Sequence, residues 1–102
     1  MSAFDHEGFL VNLKDWTPDL ATEIAKNESV ELTAAHWEII YLVRNFYSEY
    51  DTSPSMRALV KKTQIELGNE KGKSTYLLSL FPSSPAKQAC KIAGLPKPAN
   101  CL

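Results

Sequence analysis

The chain has 102 residues and a mass of 11.4 kDa, room for one small domain, and no run approaches the roughly 18 uninterrupted apolar residues of a membrane span. Apolar residues make up 44% of it, and six prolines, four glycines and two cysteines exclude both pervasive disorder and a disulfide-dense scaffold. The net charge of -1 hides a split: residues 1–51 carry ten acids against Lys14, Lys26 and Arg44, a balance of -7, while residues 52–102 carry eight bases against Glu66 and Glu70, a balance of +6.

In chain order, Gly8 to Leu13 reads G-F-L-V-N-L, a strand-forming run that predicts one arm of a small N-terminal β-hairpin or an edge segment laid on helices. Trp16 comes next as a core anchor. Thr17-Pro18-Asp19 is a helix start: the hydroxyl caps an orphan N–H, proline at the first helical position loses nothing, and the acid favours the positive dipole end. That helix runs to about Asn27, and Asn27-Glu28-Ser29 breaks it.

From Thr33 the longest periodic stretch predicts a helix over 34–50, with Trp37, Ile40, Tyr41, Val43 or Arg44, and Tyr47 on one stripe. Asp51-Thr52-Ser53-Pro54 reads as a turn and a second cap-plus-proline start, placing the next helix from Pro54. Met56, Leu59, Val60, Thr63 and Leu67 form its apolar face, and Gly68 a left-handed C-cap. Gly72-Lys73-Ser74 lacks the glycine spacing and preceding strand of a phosphate loop. Tyr76, Leu77, Leu80 and Phe81 mark a short helix that stops near Pro82. Ser84-Pro85 opens a last short helix closed by Gly94. Residues 1–94 thus read as a single, mostly α, compact helical bundle with a small hairpin. Residues 95–102 read as a flexible C-terminal arm that Pro96 and Pro98 keep extended.

The chemically pointed feature is the pair Cys90 and Cys101, with ten residues between them, far more than a redox C-x-x-C. A penultimate thiol beyond a proline-containing tail is hard to bury, which points to reactive or partner-facing use. An arm leaving Gly94 straight would carry Cys101 about 23 Å beyond the helix end. A left-handed turn at Gly94 instead sends the arm back along the helix, where a disulfide needs Cα atoms within about 7 Å. Such a closure is worth roughly 3 kcal/mol on the chain-entropy model. A carried sulfur atom wants a thiolate that reaches into another protein and a second thiol that resolves the persulfide. Lys87, Lys91 and Lys97 are the cations near the pair.

Leu80-Phe81-Pro82, Pro85-Ala86-Lys87-Gln88-Ala89-Cys90 and Ala93-Gly94-Leu95-Pro96-Lys97-Pro98 with Cys101 resemble the C-terminal signature of the DsrC family, the gamma subunit of dissimilatory sulfite reductase, whose relative TusE serves tRNA 2-thiouridine synthesis. The match extends through Glu7-Gly8-Phe9-Leu10, Asp15-Trp16, Leu32-Thr33, His36-Trp37, Arg44, Phe46-Tyr47, Ser53-Pro54, Arg57, Leu59 and Gly68 to Gly72. The resemblance implies a helical domain with an N-terminal hairpin and a mobile arm. It implies that Cys101 bears the sulfur and that Cys90 closes onto it as a disulfide or trisulfide. It implies no bound cofactor, but an arm tip working near the sirohaem of a partner reductase. The implied partners are the reductase alpha and beta subunits, a membrane-bound Dsr electron-transfer complex and small sulfurtransferases. Lys87 and Lys97 fall on the family's basic positions, and Arg57 on an arginine expected under the arm.

Members with both cysteines are of the reductase type and TusE-like members keep only the penultimate one, so the resemblance favours dissimilatory sulfur metabolism, with TusE-like relay as the alternative. Two departures stand out: Ser84 replaces the family's glycine before the proline, and the first hairpin strand is largely missing. A second class of function is a helix-turn-helix nucleic-acid-binding regulator, with Arg57, Lys61 and Lys62 facing phosphates. Two arginines in the whole chain argue against base readout. MSAFDHEG lacks a basic-then-apolar start and predicts a cytoplasmic protein. His36, beside Trp37 at a helix start, reads as a packed or capping residue.

Overall fold

The computed structural model describes residues 3–99. Its helices are α1 (Pro18–Asn27), α2 (Ala34–Tyr50), α3 (Met56–Leu67), α4 (Ser74–Leu80) and α5 (Pro85–Ile92), preceded by a 3₁₀ turn, Leu13–Asp15. α5 is the hub, packing against α1, α2, α3 and α4. Its sequence explains why: Pro85, Ala86, Gln88, Ala89, Cys90 and Ile92 are buried, and the small alanines let four neighbours approach. None of the described helices is long and apolar enough to cross a membrane.

The expected hairpin is not formed as strands. Among the described residues it is reduced to one isolated antiparallel bridge, Phe4 with Leu10. The turn between them is tied by Asp5, whose carboxylate accepts from the backbone N–H groups of Glu7 and Phe9, both at 2.9 Å, with Gly8 at φ +88°. Past Leu10 the ladder gains the Val11 N–H to Ala3 carbonyl bond. Asn12 then accepts from the Lys14 N–H and turns the chain into the 3₁₀ element. A side chain that competes for the backbone thus ends the pairing early.

α1 starts as its sequence dictates: Thr17 Oγ1 accepts from the Leu20 N–H at 3.1 Å, with Pro18 next. It ends with Ser29 in left-handed conformation, φ 60°. The Ser29 N–H bonds the Lys26 carbonyl and the Val30 N–H bonds Ala25, a Schellman closure on a non-glycine residue. α2 begins with a capping box in which His36 takes the glutamate's place. Its Nδ1 accepts from the Thr33 N–H at 3.1 Å, and its Nε2 donates to the Leu80 carbonyl at 2.8 Å. His36 is therefore a buried structural link between α2 and the end of α4.

Two expectations are corrected along α2 and α3. The buried face of α2 is His36, Ile39, Ile40, Leu42 and Val43. Trp37, Tyr41 and Arg44 instead lie on its rim, where Tyr41 is 46% exposed and stacks on Trp37. The cap of α3 is Ser55, which accepts from the Ala58 N–H at 3.2 Å, so Ser53-Pro54 lies outside the helix. Gly68 does cap α3 at positive φ, but its ψ of 167° is outside the left-handed helical well and inside a region only glycine tolerates. Gly72 is where the α3–α4 connection crosses α3: any Cβ there would collide with the Gln64 backbone, and Gln64 Nε2 donates to the Gly72 carbonyl. Close packing, not phosphate binding, accounts for this glycine.

Candidate functional site

α5 brings Cys90 to the centre of the molecule, with no exposed surface. Ser84, at its N-terminus, sits at φ -172°, extended backbone open to any residue, so the missing glycine costs nothing there. Its hydroxyl does not cap the helix either. The Gln88 side chain instead reaches back across the helix start and accepts from the Ser83 N–H at 3.1 Å.

The C-terminal end of α5 is a full Schellman motif. The Gly94 N–H bonds the Lys91 carbonyl at 3.1 Å and the Leu95 N–H bonds Cys90 at 2.9 Å, with Gly94 left-handed at φ +74°. Glycine is required twice over, because a Cβ would also run into the Trp16 ring. The turn at Gly94 is left-handed, as expected of a glycine at that position.

The end of α5 and the segment beyond this turn are both tied to the body. Trp16 Nε1 donates to the Ile92 carbonyl at 2.8 Å, Arg44 Nη1 to Ala93 at 2.6 Å and Ser53 Oγ to Pro96 at 2.6 Å. Arg44 also lies over the Trp16 ring, 3.9 Å from its centroid, a cation at the negative end of the α5 dipole. Burial lowers its pKa from the ordinary value. Leu95 and Pro98 are buried, and Lys97 pairs with Glu7 at 3.1 Å. Residues 95–98, expected to belong to a flexible arm, are thus packed on the domain, with Leu95 and Pro98 buried, the Pro96 carbonyl accepting from Ser53 and Lys97 paired with Glu7.

The candidate residues separate accordingly. Cys90, Gly94, Pro96, Lys97 and Pro98 share this region; Cys101 lies outside the described residues, and so does any pairing with it. Lys91 is held by Glu28 at 3.2 Å and lies over Phe9, so its charge is already spent. Lys87 is half-buried on α5 and has no ion-pair partner among the described residues. Arg57 is exposed on α3, and its side chain makes no hydrogen bond or ion pair among the described residues. Arg44 holds the segment instead, because α2 aims it at the exit of α5. Sequence reading missed the donors Trp16, Arg44 and Ser53. Each acts over more than forty residues of chain, a separation at which neither spacing nor periodicity carries a signal.

The family model described as "DsrC like protein" matches residues 1–102. The chain is 58% identical over 98 residues to the "Sulfurtransferase TusE homolog" of Haemophilus influenzae, spanning 96% of this chain and 90% of that protein. It is 55% identical, again over 98 residues, to "Sulfurtransferase TusE" of Sodalis glossinidius, spanning 96% of this chain and 91% of that protein. Among solved structures it resembles Allochromatium vinosum DsrC, with a TM-score of 0.89 and 52% identity over 97% of this chain and 88% of that one. It also resembles the oxidized gamma-subunit of the dissimilatory sulfite reductase of Archaeoglobus fulgidus, with a TM-score of 0.82 and 38% identity over 97% and 90%. With that coverage and a helical fold shared with two such structures, the chain belongs to the DsrC-like protein family.

Proposed function

We propose that the chain is a sulfur-relay protein of the TusE type, carrying sulfur on Cys101 toward the enzymes of tRNA 2-thiouridine synthesis. The observation that carries this reading is the end-to-end similarity to proteins named sulfurtransferase TusE. In the relay the Cys101 thiolate attacks the outer sulfur of a persulfide on a donor sulfurtransferase. The donor S–S bond breaks, the donor thiolate leaves, and Cys101 becomes the persulfide with no net oxidation. A thiolate of the acceptor enzyme then takes the outer sulfur in the same way. Cys90 has no step in this scheme, which suits a thiol with no exposed surface inside the hub helix.

A second reading, partnership with a dissimilatory sulfite reductase and its sirohaem site, is favoured by the presence of Cys90 and by the likeness to DsrC of Allochromatium vinosum. There the Cys90 thiolate attacks the inner sulfur of the Cys101 persulfide, forming the disulfide and releasing hydrosulfide. The test is complementation in a bacterium lacking its own TusE, reading 2-thiouridine in bulk tRNA. Relay predicts that wild type and Cys90→Ala restore it and Cys101→Ala does not. Failure of wild type alongside a working native control overturns the TusE assignment.

A further inference from the structure

The segment that leaves α5 borders a cavity of about 280 Å³ walled by Leu13, Lys14, Arg44, Tyr47, Ser48 and Leu95. Two of the six are cations, two carry hydroxyls and none is an acid. Neither cation has a carboxylate partner among the described residues: the ion pairs there use Lys71, Lys73, Lys91 and Lys97, and Arg44 meets only the partial negative charge at the end of α5. Arg44 is half-buried, fixed from one side by the Trp16 ring and by a single hydrogen bond to Ala93. A guanidinium carries five N–H donors in a rigid fork, so most of this fork is unspent while its orientation is already set. A cavity at Tyr50, Lys61 and Lys62 also lacks an acid but has no arginine fork, and two others differ in kind. The one at Thr22, Lys26, Glu31 and Trp37 and the one at Glu7, Glu28 and Lys91 each set an acid beside the base.

We propose that the Arg44–Lys14 cavity binds a small tetrahedral oxyanion of the sulfate and phosphate class, as a free ion or as the terminal phosphate of a larger molecule. The fork of Arg44 matches two oxygens of such an anion, Lys14 closes over it as a flexible point charge, and the hydroxyls of Tyr47 and Ser48 are available as further donors. The bound anion lies against Leu95, at the root of the segment that leads to Cys101. The site is independent of which sulfur pathway the protein serves.

The test is an NMR titration of the full chain with sodium phosphate and with sodium sulfate, against sodium chloride at matched ionic strength. The Trp16 indole N–H is the reporter, since its ring stacks under Arg44. Phosphate and sulfate should give saturating shifts that chloride does not. Lys14→Ala, a change at an exposed side chain, should weaken binding at least fivefold. Arg44→Lys, which keeps the charge and loses the fork, should weaken it about tenfold, and Lys61→Ala on α3 should leave it unchanged. Tighter binding of adenosine 5′-monophosphate than of inorganic phosphate assigns the site to phosphate monoesters, and weaker or equal binding to the free ion. Linear shifts, shifts equal to those in chloride, or unaltered binding by Lys14→Ala would overturn the proposal, whether or not Arg44→Lys folds.

Discussion

Gly94 concentrates more constraint than any side chain in the region. Its positive φ strains an L-residue by about 1–2 kcal/mol, and the Cβ of alanine would push Trp16 off both the Ile92 carbonyl and Arg44. Gly94→Ala should therefore cost roughly 3 kcal/mol in urea unfolding, with a change in native tryptophan fluorescence that a purely conformational penalty would not give. Asp5 makes the opposite kind of contribution, electrostatic and exposed. Its pKa is lowered chiefly by the hydrogen bond from the Phe9 N–H, helped by those from Glu7 and Gly8. A carboxyl depressed in the folded state stabilises above its unfolded pKa and loses that contribution as pH falls through the folded one. Asp5→Asn keeps an acceptor oxygen but removes the titration. The stability difference between wild type and variant should shrink as the pH is lowered below about 4, which acid unfolding curves would reveal; a gap that stays constant would contradict this reading.

At the scale of elements, local chemistry was legible and partner choice was not. Thr17-Pro18 and Ala34 to Tyr50 read directly, since a cap, a proline and a 3.6-residue period are encoded within a few positions. The α2 stripe was offset because Tyr41 and Trp37 are large and apolar enough to mimic core residues, yet they cover the rim with their rings. The α3 start was displaced by two residues because Ser53 and Ser55 are equivalent in sequence. Only tertiary contact assigns the first to the Pro96 carbonyl and the second to the helix cap. The closure of α1 gives a test of this logic. Ser29 occupies the left-handed position that glycine fills at the end of α5, and nothing in its side chain is required there. Ser29→Gly should raise stability by about 1 kcal/mol, the strain relieved less the entropy glycine adds to the unfolded chain. A loss of stability would show that the serine makes a compensating contact.

For the whole molecule, a radius of gyration of 12.5 Å matches the roughly 13 Å expected of one 100-residue domain, with α5 as the element every other described α-helix packs against. The charge split visible in the sequence becomes a set of cross-chain pairs: Glu7 with Lys97, Glu28 with Lys91 and Glu38 with Lys71 join the acidic half to the basic one. The two more exposed of these pairs add little stability, and together the three engage three of the eight bases of the C-terminal half. Cys90 and Cys101 are recognisable by residue type and spacing, whereas the burial of Cys90 follows from the packing of α5 on four other helices, and the tying of the α5 exit and of Pro96 follows from Trp16, Arg44 and Ser53, which no local pattern links to them. The most direct measurement of the central claim is intact-mass analysis of the reduced protein after incubation with a persulfide-loaded sulfurtransferase. Relay on Cys101 predicts one added sulfur atom on wild type and on Cys90→Ala, and none on Cys101→Ala. Labelling that persists in Cys101→Ala, or that vanishes in Cys90→Ala, would contradict it.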